Sequence, residues 1–465
     1  MNVANERGKI SFIAGVLMSI NIIVGAGIFA MPQLMAQKAG NFSFLGWIIV
    51  ALLFLPIIWG VANAARIFPG TGGFYNYCSM GLGEKSGFLA LWLYLLGYVA
   101  TAATLTSVLT KHLTTQLHTL LPSISPIFYT ITIITVVCFL NLLSVTIISK
   151  VQSFTTILKL LPLLCVIAIF GFYWDPTMSF PTTDLLNIGA TLPMAIFGFW
   201  GFETCCSLSE HLQGGPSKVF SIILTAFLSA AFLYTMFHFS LLHIMGAPNL
   251  AQYGVQAFPQ FLHIKSTAMS SFLGLAFIVT LTINFFNSVY GLLLLNVDNT
   301  VCLARKKLIF FDSPLTKLNV YQRPIITTFV HGLIVFLLVT LIPNTSSLAS
   351  LTNLGIVLSS LLVILAVLKT QIARKLYGAS ILTLLGILSC LIITYYSWMD
   401  IEKLIYTLPL FFGIALGLVM YSICKKRNTL CSNSSCFCGF IGNLFGKKTE
   451  NKKCCLNNFF NYFKK

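Results

Sequence analysis

Long apolar runs follow one another along nearly the whole chain, separated by short polar breaks that often hold glycine or proline. Most runs have the roughly 20 residues that an α-helix needs to cross the hydrocarbon core of a bilayer. The pattern predicts an all-α polytopic membrane protein rather than an outer-membrane barrel, whose strands alternate more weakly. About twelve spans are expected, at residues 10–37, 42–66, 87–110, 124–148, 154–174, 187–209, 218–245, 267–297, 325–342, 346–369, 377–397 and 404–424.

Composition supports this class. Only 8% of the 465 residues are charged and the mean hydropathy is +0.90, whereas a soluble domain carries roughly 25% charged residues. The segment 67–85 is short, rich in glycine and not followed by the GK[ST] of a phosphate loop. We expect it to be a re-entrant or interfacial element on the inner face.

The distribution of lysine and arginine sets the orientation, because these residues concentrate on the cytoplasmic side of inserted proteins. A cytoplasmic N-terminus leaves only four basic residues outside: Lys38, Lys111, Lys265 and Lys403. We therefore expect a multi-pass protein of the cell (inner) membrane with both termini in the cytoplasm. The net charge of +17 then belongs to a basic rim facing anionic lipid, and nucleic acid is not expected as a partner.

None of the thirteen cysteines falls in a predicted outer loop, so disulfides are not expected. Five cysteines lie in the tail: Cys431, Cys436, Cys438, Cys454 and Cys455. Their spacing is not that of a standard zinc site, and we predict neither a metal site nor a cofactor. Acylation of the tail, or its binding to anionic lipid through basic and aromatic residues, stays open.

Two of the predicted spans are interrupted by glycine. Span 1 contains "NIIVGAGIFAMP", with Gly25 and Gly27 near its middle, and span 6 contains "AIFGFWGFETCCSLSE", with Gly198 and Gly201. Glycine in membrane helices often serves close packing. However, two interrupted spans in corresponding positions of two five-helix halves are typical of inverted-repeat transporters, whose substrate site lies between the breaks.

This interpretation divides the chain into five parts: a cytoplasmic N-terminus (1–9), a first five-helix repeat (10–174), a second, inverted repeat (187–369), helices 11 and 12 (377–424) and a basic, cysteine-rich cytoplasmic tail (425–465). A break exposes the amide groups of one half-helix and the carbonyl groups of the other. Such a site suits the carboxylate and ammonium groups of an α-amino acid.

Four motifs carry a resemblance to a known family: "GAGIFAMP" in span 1, "FPGTGGFYNY" after span 2, "ILKLLPLL" in span 5 and "FGFWGFE....SEHLQGGPSKV" in span 6. Together they resemble the amino acid-polyamine-organocation superfamily, and within it bacterial basic amino acid/polyamine antiporters and related amino acid permeases. The resemblance covers roughly residues 10–424. It implies the leucine-transporter fold, with helices 1 and 6 discontinuous, and transport of amino acids or amines. Some members are dimers, so a homodimer stays open.

The resemblance also implies roles for single residues. Glu203 matches a helix 6 glutamate that takes part in gating and substrate coupling, and Phe197 matches an aromatic gate over the substrate. Lys159 matches a lysine whose ammonium group replaces the sodium ion of sodium-coupled relatives. The alternatives are a structural hydrogen-bonded carboxylate for Glu203 and a lysine that extends to the interface for Lys159.

The predicted substrate contacts surround the two breaks, with one residue from span 3 and one from span 8: Ile23, Gly25, Ala26, Gly27, Tyr94, Phe197, Gly198, Phe199, Trp200 and Asn284. His238 and His331 could carry protons, although a lone membrane histidine more often bonds a neighbouring helix. Asp298 is expected to pair with Arg305. A single glutamate at the site favours a cationic substrate, but the many aromatic residues also admit a bulky neutral one.

The favoured function is secondary active transport by alternating access, as an exchanger or a proton-linked permease, because no Walker sequence indicates use of ATP. A transporter-derived nutrient sensor is the alternative. An intramembrane enzyme is least favoured, since Glu203 has no second carboxylate inside the membrane to share acid–base work. The substrate, the mode of coupling and the oligomeric state are left undecided by the sequence.

Overall fold

The computed structural model describes residues 11–68, 73–117, 122–143, 159–173, 182–203, 216–262 and 267–445. These ranges form helices joined by turns and contain no β-strand. The α-helices of this part are α1 (Phe12–Ile23), α2 (Gly27–Ala39), α3 (Leu45–Ile67), α4 (Gly73–Leu82), α5 (Glu84–Leu117), α6 (Pro126–Asn141), α7 (Lys159–Phe170), α8 (Leu192–Phe199), α9 (Pro216–Met245), α10 (Ala247–Tyr253), α11 (Thr267–Arg305), α12 (Asp312–Leu315), α13 (Ile325–Leu341), α14 (Thr345–Ala373), α15 (Tyr377–Met399) and α16 (Leu408–Phe445).

The long apolar helices confirm the all-α polytopic class. Among the described residues, seven helices are long and apolar enough to cross a bilayer: α3, α5, α9, α11, α14, α15 and α16. An eighth candidate is the pair α1 and α2, which is bent by 48° at its break. The apolar helices α6, α7, α8 and α13 are shorter. All of them overlap predicted spans, but four are short of a full crossing, so the twelve-span count stays a prediction.

The centre of the bundle is the crossing of α5 and α14, the two most deeply buried long helices. Their backbones approach closely where Gly97 meets Gly355. A Cβ atom on Gly355 would lie 2.5 Å from the Cα of Gly97, which is closer than side-chain carbons come to backbone. The small residues therefore let the two helices pack backbone to backbone, as glycine does in membrane helix pairs.

The predicted interfacial segment 67–85 contains the ten-residue helix α4, which packs against α5 and α14. Its residues 69–72 lie outside the described ranges. Near its end, the Gly81 carbonyl accepts a hydrogen bond from the Lys369 Nζ on α14 (3.1 Å). The segment is therefore a short helix packed against the central pair.

Candidate functional site

The first break separates α1, which ends at Ile23, from α2, which begins at Gly27. In between, the Gly25 amide donates to the Ile23 carbonyl (2.8 Å) instead of continuing the helical pattern. The amides of Ala26, Gly27 and Ile28 have no hydrogen-bond partner within the described part of the chain. All three residues are buried, so the free N–H groups at the start of α2 lie inside the protein.

Two side chains bind the carbonyl end of α1. The Tyr234 hydroxyl on α9 donates to the Ile23 carbonyl (2.8 Å), and the buried Lys159 ammonium on α7 donates to the Asn21 carbonyl. The C-terminus of a helix carries partial negative charge, which favours a cation there. The structure thus places Lys159 against the last turn of α1.

The second break follows Phe199. Trp200 leaves the helix in an extended conformation (φ −63°, ψ 146°), and Gly201 has a φ of +119°. That dihedral is strained for any residue with a side chain. A Cβ on Gly201 would also lie 3.1 Å from the Ile22 carbonyl oxygen of the first break. Glycine is therefore required here by conformation and by space.

The Glu203 carboxylate accepts two hydrogen bonds at the second break, and the residue is almost fully buried. One oxygen accepts the Gly201 amide (3.0 Å), and the other accepts the Tyr98 hydroxyl on α5. The predicted Tyr94 lies beside this pair, with its ring centroid 4.5 Å from that of Tyr98. Tyr98 was not predicted, although it stands one helical turn after Tyr94 on the same face and periodicity could have found it.

The two breaks lie against each other. A Cβ on Gly27 would be 3.2 Å from the Gly198 Cα and 3.5 Å from the Phe197 ring. Residues from distant parts of the sequence therefore meet where α2 and α8 cross. Residues 204–215, which continue the span 6 motif, lie outside the described ranges.

The other two aromatic residues of span 6 that were predicted as substrate contacts have partners inside the bundle. The Phe199 ring is fully buried and stacks on Tyr234, with centroids 5.2 Å apart. The Trp200 indole donates to the Asn353 Oδ1 on α14 (2.9 Å). Tyr234 and Asn353 were not predicted, and nothing in the sequence singles out these two residues.

Asn284 lies on α11, which packs chiefly against α5, α6 and α13 and against the turn before α11. It is buried, and its amide nitrogen has no hydrogen-bond partner among the described residues. The described residues show no polar contact between Asn284 and either break. A place for this residue in the substrate site stays a prediction.

The membrane histidines make interhelical hydrogen bonds. His238 Nδ1 accepts from the Trp47 indole (3.0 Å), and its Nε2 lies 3.3 Å from the Ser43 hydroxyl. Ser43 already donates to the Gly40 carbonyl (2.7 Å), so Nε2 must be the donor and the ring is neutral. His331 Nε2 similarly lies 2.8 Å from the Thr300 hydroxyl.

The predicted ion pair between Asp298 and Arg305 is wrong, because Asp298 has a different partner. Asp298 pairs with Arg323 (3.2 Å), whose Nε also donates to the Asn141 carbonyl at the end of α6 (3.2 Å). The segment before α13 folds back toward α6 and α11, and this tertiary contact is not visible in the sequence. The ion pair borders a cavity of about 350 Å³.

A second cavity, of about 550 Å³, lies at the opposite end, where α2 ends and α8 begins. Lys38 and Asp400 form an ion pair in its wall (3.3 Å). The Asp400 carboxylate also accepts a hydrogen bond from the Ser350 hydroxyl (2.9 Å). The side-chain nitrogen of Gln37 donates to the Ala251 carbonyl (2.8 Å). These contacts tie the end of α2 to α10, α14 and the α15–α16 turn.

The fold and site define an α-helical, multi-pass membrane protein in which the break between α1 and α2 contacts the end of α8. A family model described as amino acid permease matches residues 10–421. Because that match covers nearly the whole chain, the protein belongs to the amino acid permease family.

Two relatives illustrate the range of this similarity. The serine/threonine exchanger SteT of Bacillus subtilis is 24% identical over 258 residues, which cover 54% of this chain and 58% of SteT. The putrescine transporter PotE of Haemophilus influenzae is 22% identical over 238 residues, covering 49% of this chain and 54% of PotE. The chain thus spans somewhat more than half the length of each relative.

Proposed function

We propose that the protein is a secondary active transporter of amino acids or their amines, working by alternating access as an exchanger or proton-linked permease. One observation carries the proposal. The amides of Ala26, Gly27 and Ile28 are buried and have no partner among the described residues, and they lie where α2 touches Gly198 of the second interrupted helix. Buried polar groups without partners are costly, and a ligand would satisfy them.

The geometry of the first break suits an α-amino acid. The free amides at the N-terminus of α2 would accept a carboxylate, which the positive end of the helix dipole favours. Carbonyl groups at the end of α1 would accept the ammonium group. Phe197, packed beside Gly27, would cover the substrate side chain, and Gly25, Phe199, Trp200, Tyr94 and Asn284 remain proposed contributors to the surrounding pocket.

Lys159 and Glu203 are the proposed coupling residues. Lys159 places a positive charge where a bound cation would otherwise stabilise the carbonyl end of α1. Glu203 has both oxygens engaged by Tyr98 and Gly201. Release of either bond, by protonation or by a substrate amine, would free the second break to move.

The proposed architecture is the leucine-transporter fold with 5+5 inverted repeats and twelve spans, both termini in the cytoplasm and the protein in the inner membrane. In this scheme α1–α2, α3, α8 and α9 rock against α5, α6, α11 and α13. Hydrogen bonds inside the first group support its movement as one body: Tyr234 on α9 binds α1, and His238 on α9 binds Trp47 on α3. A homodimer stays a proposal without a specific supporting contact.

The substrate is the open part of the proposal. The names of the two relatives give two hydroxylated amino acids, serine and threonine, for one and a diamine, putrescine, for the other. The amides of the first break favour a ligand with a carboxylate. We therefore place α-amino acids ahead of diamines.

Counterflow in proteoliposomes tests the function. Vesicles holding the purified protein are loaded with each of the twenty amino acids or with putrescine, and entry of the same labelled compound is followed with and without a pH gradient. We expect at least one internal amino acid to drive uptake above that of protein-free vesicles. If ligand binding is measurable but neither counter-substrate nor gradient moves label, transport is wrong and a sensor is the better account.

A further inference from the structure

Asn353 on α14 is fully buried and binds both ends of the half-helix α8. Its Oδ1 accepts from the Trp200 indole (2.9 Å), and its Nδ2 donates to the Pro193 carbonyl (2.8 Å). The orientation of the amide is unambiguous, because an indole N–H can only donate and a carbonyl can only accept. Asn353 therefore joins the residue that begins the second break to the first turn of the same half-helix.

A continuous chain of contacts runs from Asn353 across the break. Trp200, fixed by Asn353, precedes Gly201, whose amide donates to Glu203. Glu203 in turn accepts the Tyr98 hydroxyl on α5. The break is thus held from both sides, by an amide on α14 and by a phenol on α5.

Tyr98 and Asn353, the two anchors of the break, lie on helices that pack tightly against each other. Tyr98 directly follows Gly97, and Asn353 precedes Gly355 by two residues; these glycines are the point where α5 and α14 touch backbone to backbone. Close-packed helices keep a fixed relation because any shift would create overlap or voids. The distance between the two anchors is therefore set by the α5–α14 crossing and not by α8 itself.

We propose that Asn353 is a positioning residue for the proposed transport site: through Trp200 it holds the second break in the extended conformation that presents Gly201 to Glu203. In this role Asn353 acts through Trp200 and need not contact substrate. Only the effect of Asn353 on transport rate rests on the proposed function; its effect on the conformation of the break does not. The conformation of the break can be measured on the protein without substrate.

Hydrogen–deuterium exchange of the purified full-length protein in lipid nanodiscs tests the conformational role. We compare wild type with Asn353→Leu, which keeps the branch at Cγ but removes both hydrogen bonds, and with Trp200→Phe, which removes the indole donor. We expect exchange in peptides covering 196–203 to be about tenfold faster in both variants, as the loss of one buried hydrogen bond implies. The double variant should exchange no faster than the faster single variant, since the two residues share one bond.

Ser360→Ala is the matched control, because Ser360 lies on the same helix, is buried and has a hydroxyl without a partner among the described residues. Should Asn353→Leu and Trp200→Phe both exchange like Ser360→Ala over 196–203, the positioning role is wrong. Faster exchange everywhere in the protein would instead mean general destabilisation and would equally overturn it.

Counterflow of labelled L-serine, or of the amino acid that the screen above identifies, separates this role from the proposed function. If wild type moves label, we expect Asn353→Leu to raise KM about tenfold while Ser360→Ala leaves it unchanged. Wild-type and Asn353→Leu proteins with the same KM would overturn the flux role. If wild type moves no amino acid, the proposed transport fails, while the exchange experiment still decides whether Asn353 positions the break.

Discussion

The two helix breaks touch each other but are held in different ways. At the first break, neighbouring helices bind main-chain carbonyls, through Tyr234 and Lys159, and the amides that open α2 have no partner in the described chain. At the second, the carboxylate of Glu203 satisfies the Gly201 amide itself. The proposed ligand anion would meet the amides of the first break, whereas the second break already holds a carboxylate.

This difference suggests a division of roles. The α2 amides without partners and the nearby Lys159 ammonium suit ligand binding. The Glu203 carboxylate suits gating, because its hydrogen bonds must break before the second break can move. Both breaks need glycine, but for different reasons: Gly27 lets two helices cross, and Gly201 adopts a backbone conformation that other residues rarely reach. Variants at the two breaks should therefore fail in different ways.

The largest effect is expected from Glu203→Ala. It removes the carboxylate that accepts from the Tyr98 hydroxyl and from the Gly201 amide, and each hydrogen bond lost inside the protein costs about 1–3 kcal/mol. We expect the counterflow rate per amount of reconstituted protein to fall about 100-fold. Glu84→Gln is the control, since Glu84 pairs with Lys425 at an exposed site. If Glu203→Ala exchanges substrate at the wild-type rate, Glu203 takes no part in coupling.

A smaller loss is expected from Lys159→Met, which keeps the apolar stem but removes the charge that binds the Asn21 carbonyl. A hydrogen bond from a charged donor contributes about 1.5–3 kcal/mol, so uptake should fall about tenfold or somewhat more. Lys369→Met is matched to it, because Lys369 also donates to a main-chain carbonyl but is exposed. Equal uptake rates for the two variants would contradict a special role for Lys159.

Two glycine variants compare crowding within the first break. A methyl group on Gly27 would press on the Gly198 backbone at 3.2 Å, whereas on Gly25 its nearest contact is the Ile23 carbonyl at 4.0 Å. Overpacking costs about 1–3 kcal/mol. We expect Gly27→Ala to lower the Tm in detergent by about 2–5 °C and Gly25→Ala to leave it unchanged. The reverse order of Tm values would show that the two helices do not cross at Gly27.

The smallest effect is expected from Tyr234→Phe, which removes one neutral hydrogen bond to the Ile23 carbonyl. A loss of about 1 kcal/mol corresponds to a roughly fivefold higher KM. Tyr129→Phe provides the comparison, because the Tyr129 hydroxyl is buried without a partner in the described part of the protein. If both variants keep the wild-type KM, Tyr234 does not hold the first break for binding.

Several features of the site could be predicted because they are local. Glycine pairs inside apolar runs indicate interrupted helices, and Glu203 stands out as a carboxylate within a span. Tyr98 lies one helical turn after Tyr94, so periodicity could have found it. Tyr234 and Asn353 could not be singled out, because tyrosine and asparagine are unremarkable in a chain with many of each. Asp298 was assigned to the nearest arginine in sequence, and its actual partner, Arg323, comes from a segment that folds back.

The class follows from the sequence alone: apolar runs of membrane-spanning length form helices, since an unpaired backbone is too costly in lipid. The sequence also assigns the family, and it predicts the positions of two helix breaks. The contact of the two breaks at Gly27 and Gly198 is visible in the tertiary structure alone. The same is true of Tyr98 on α5 and Asn353 on α14, which bind the second break. Such contacts depend on how helices cross, and the periodicity of a single helix carries no information about its neighbour.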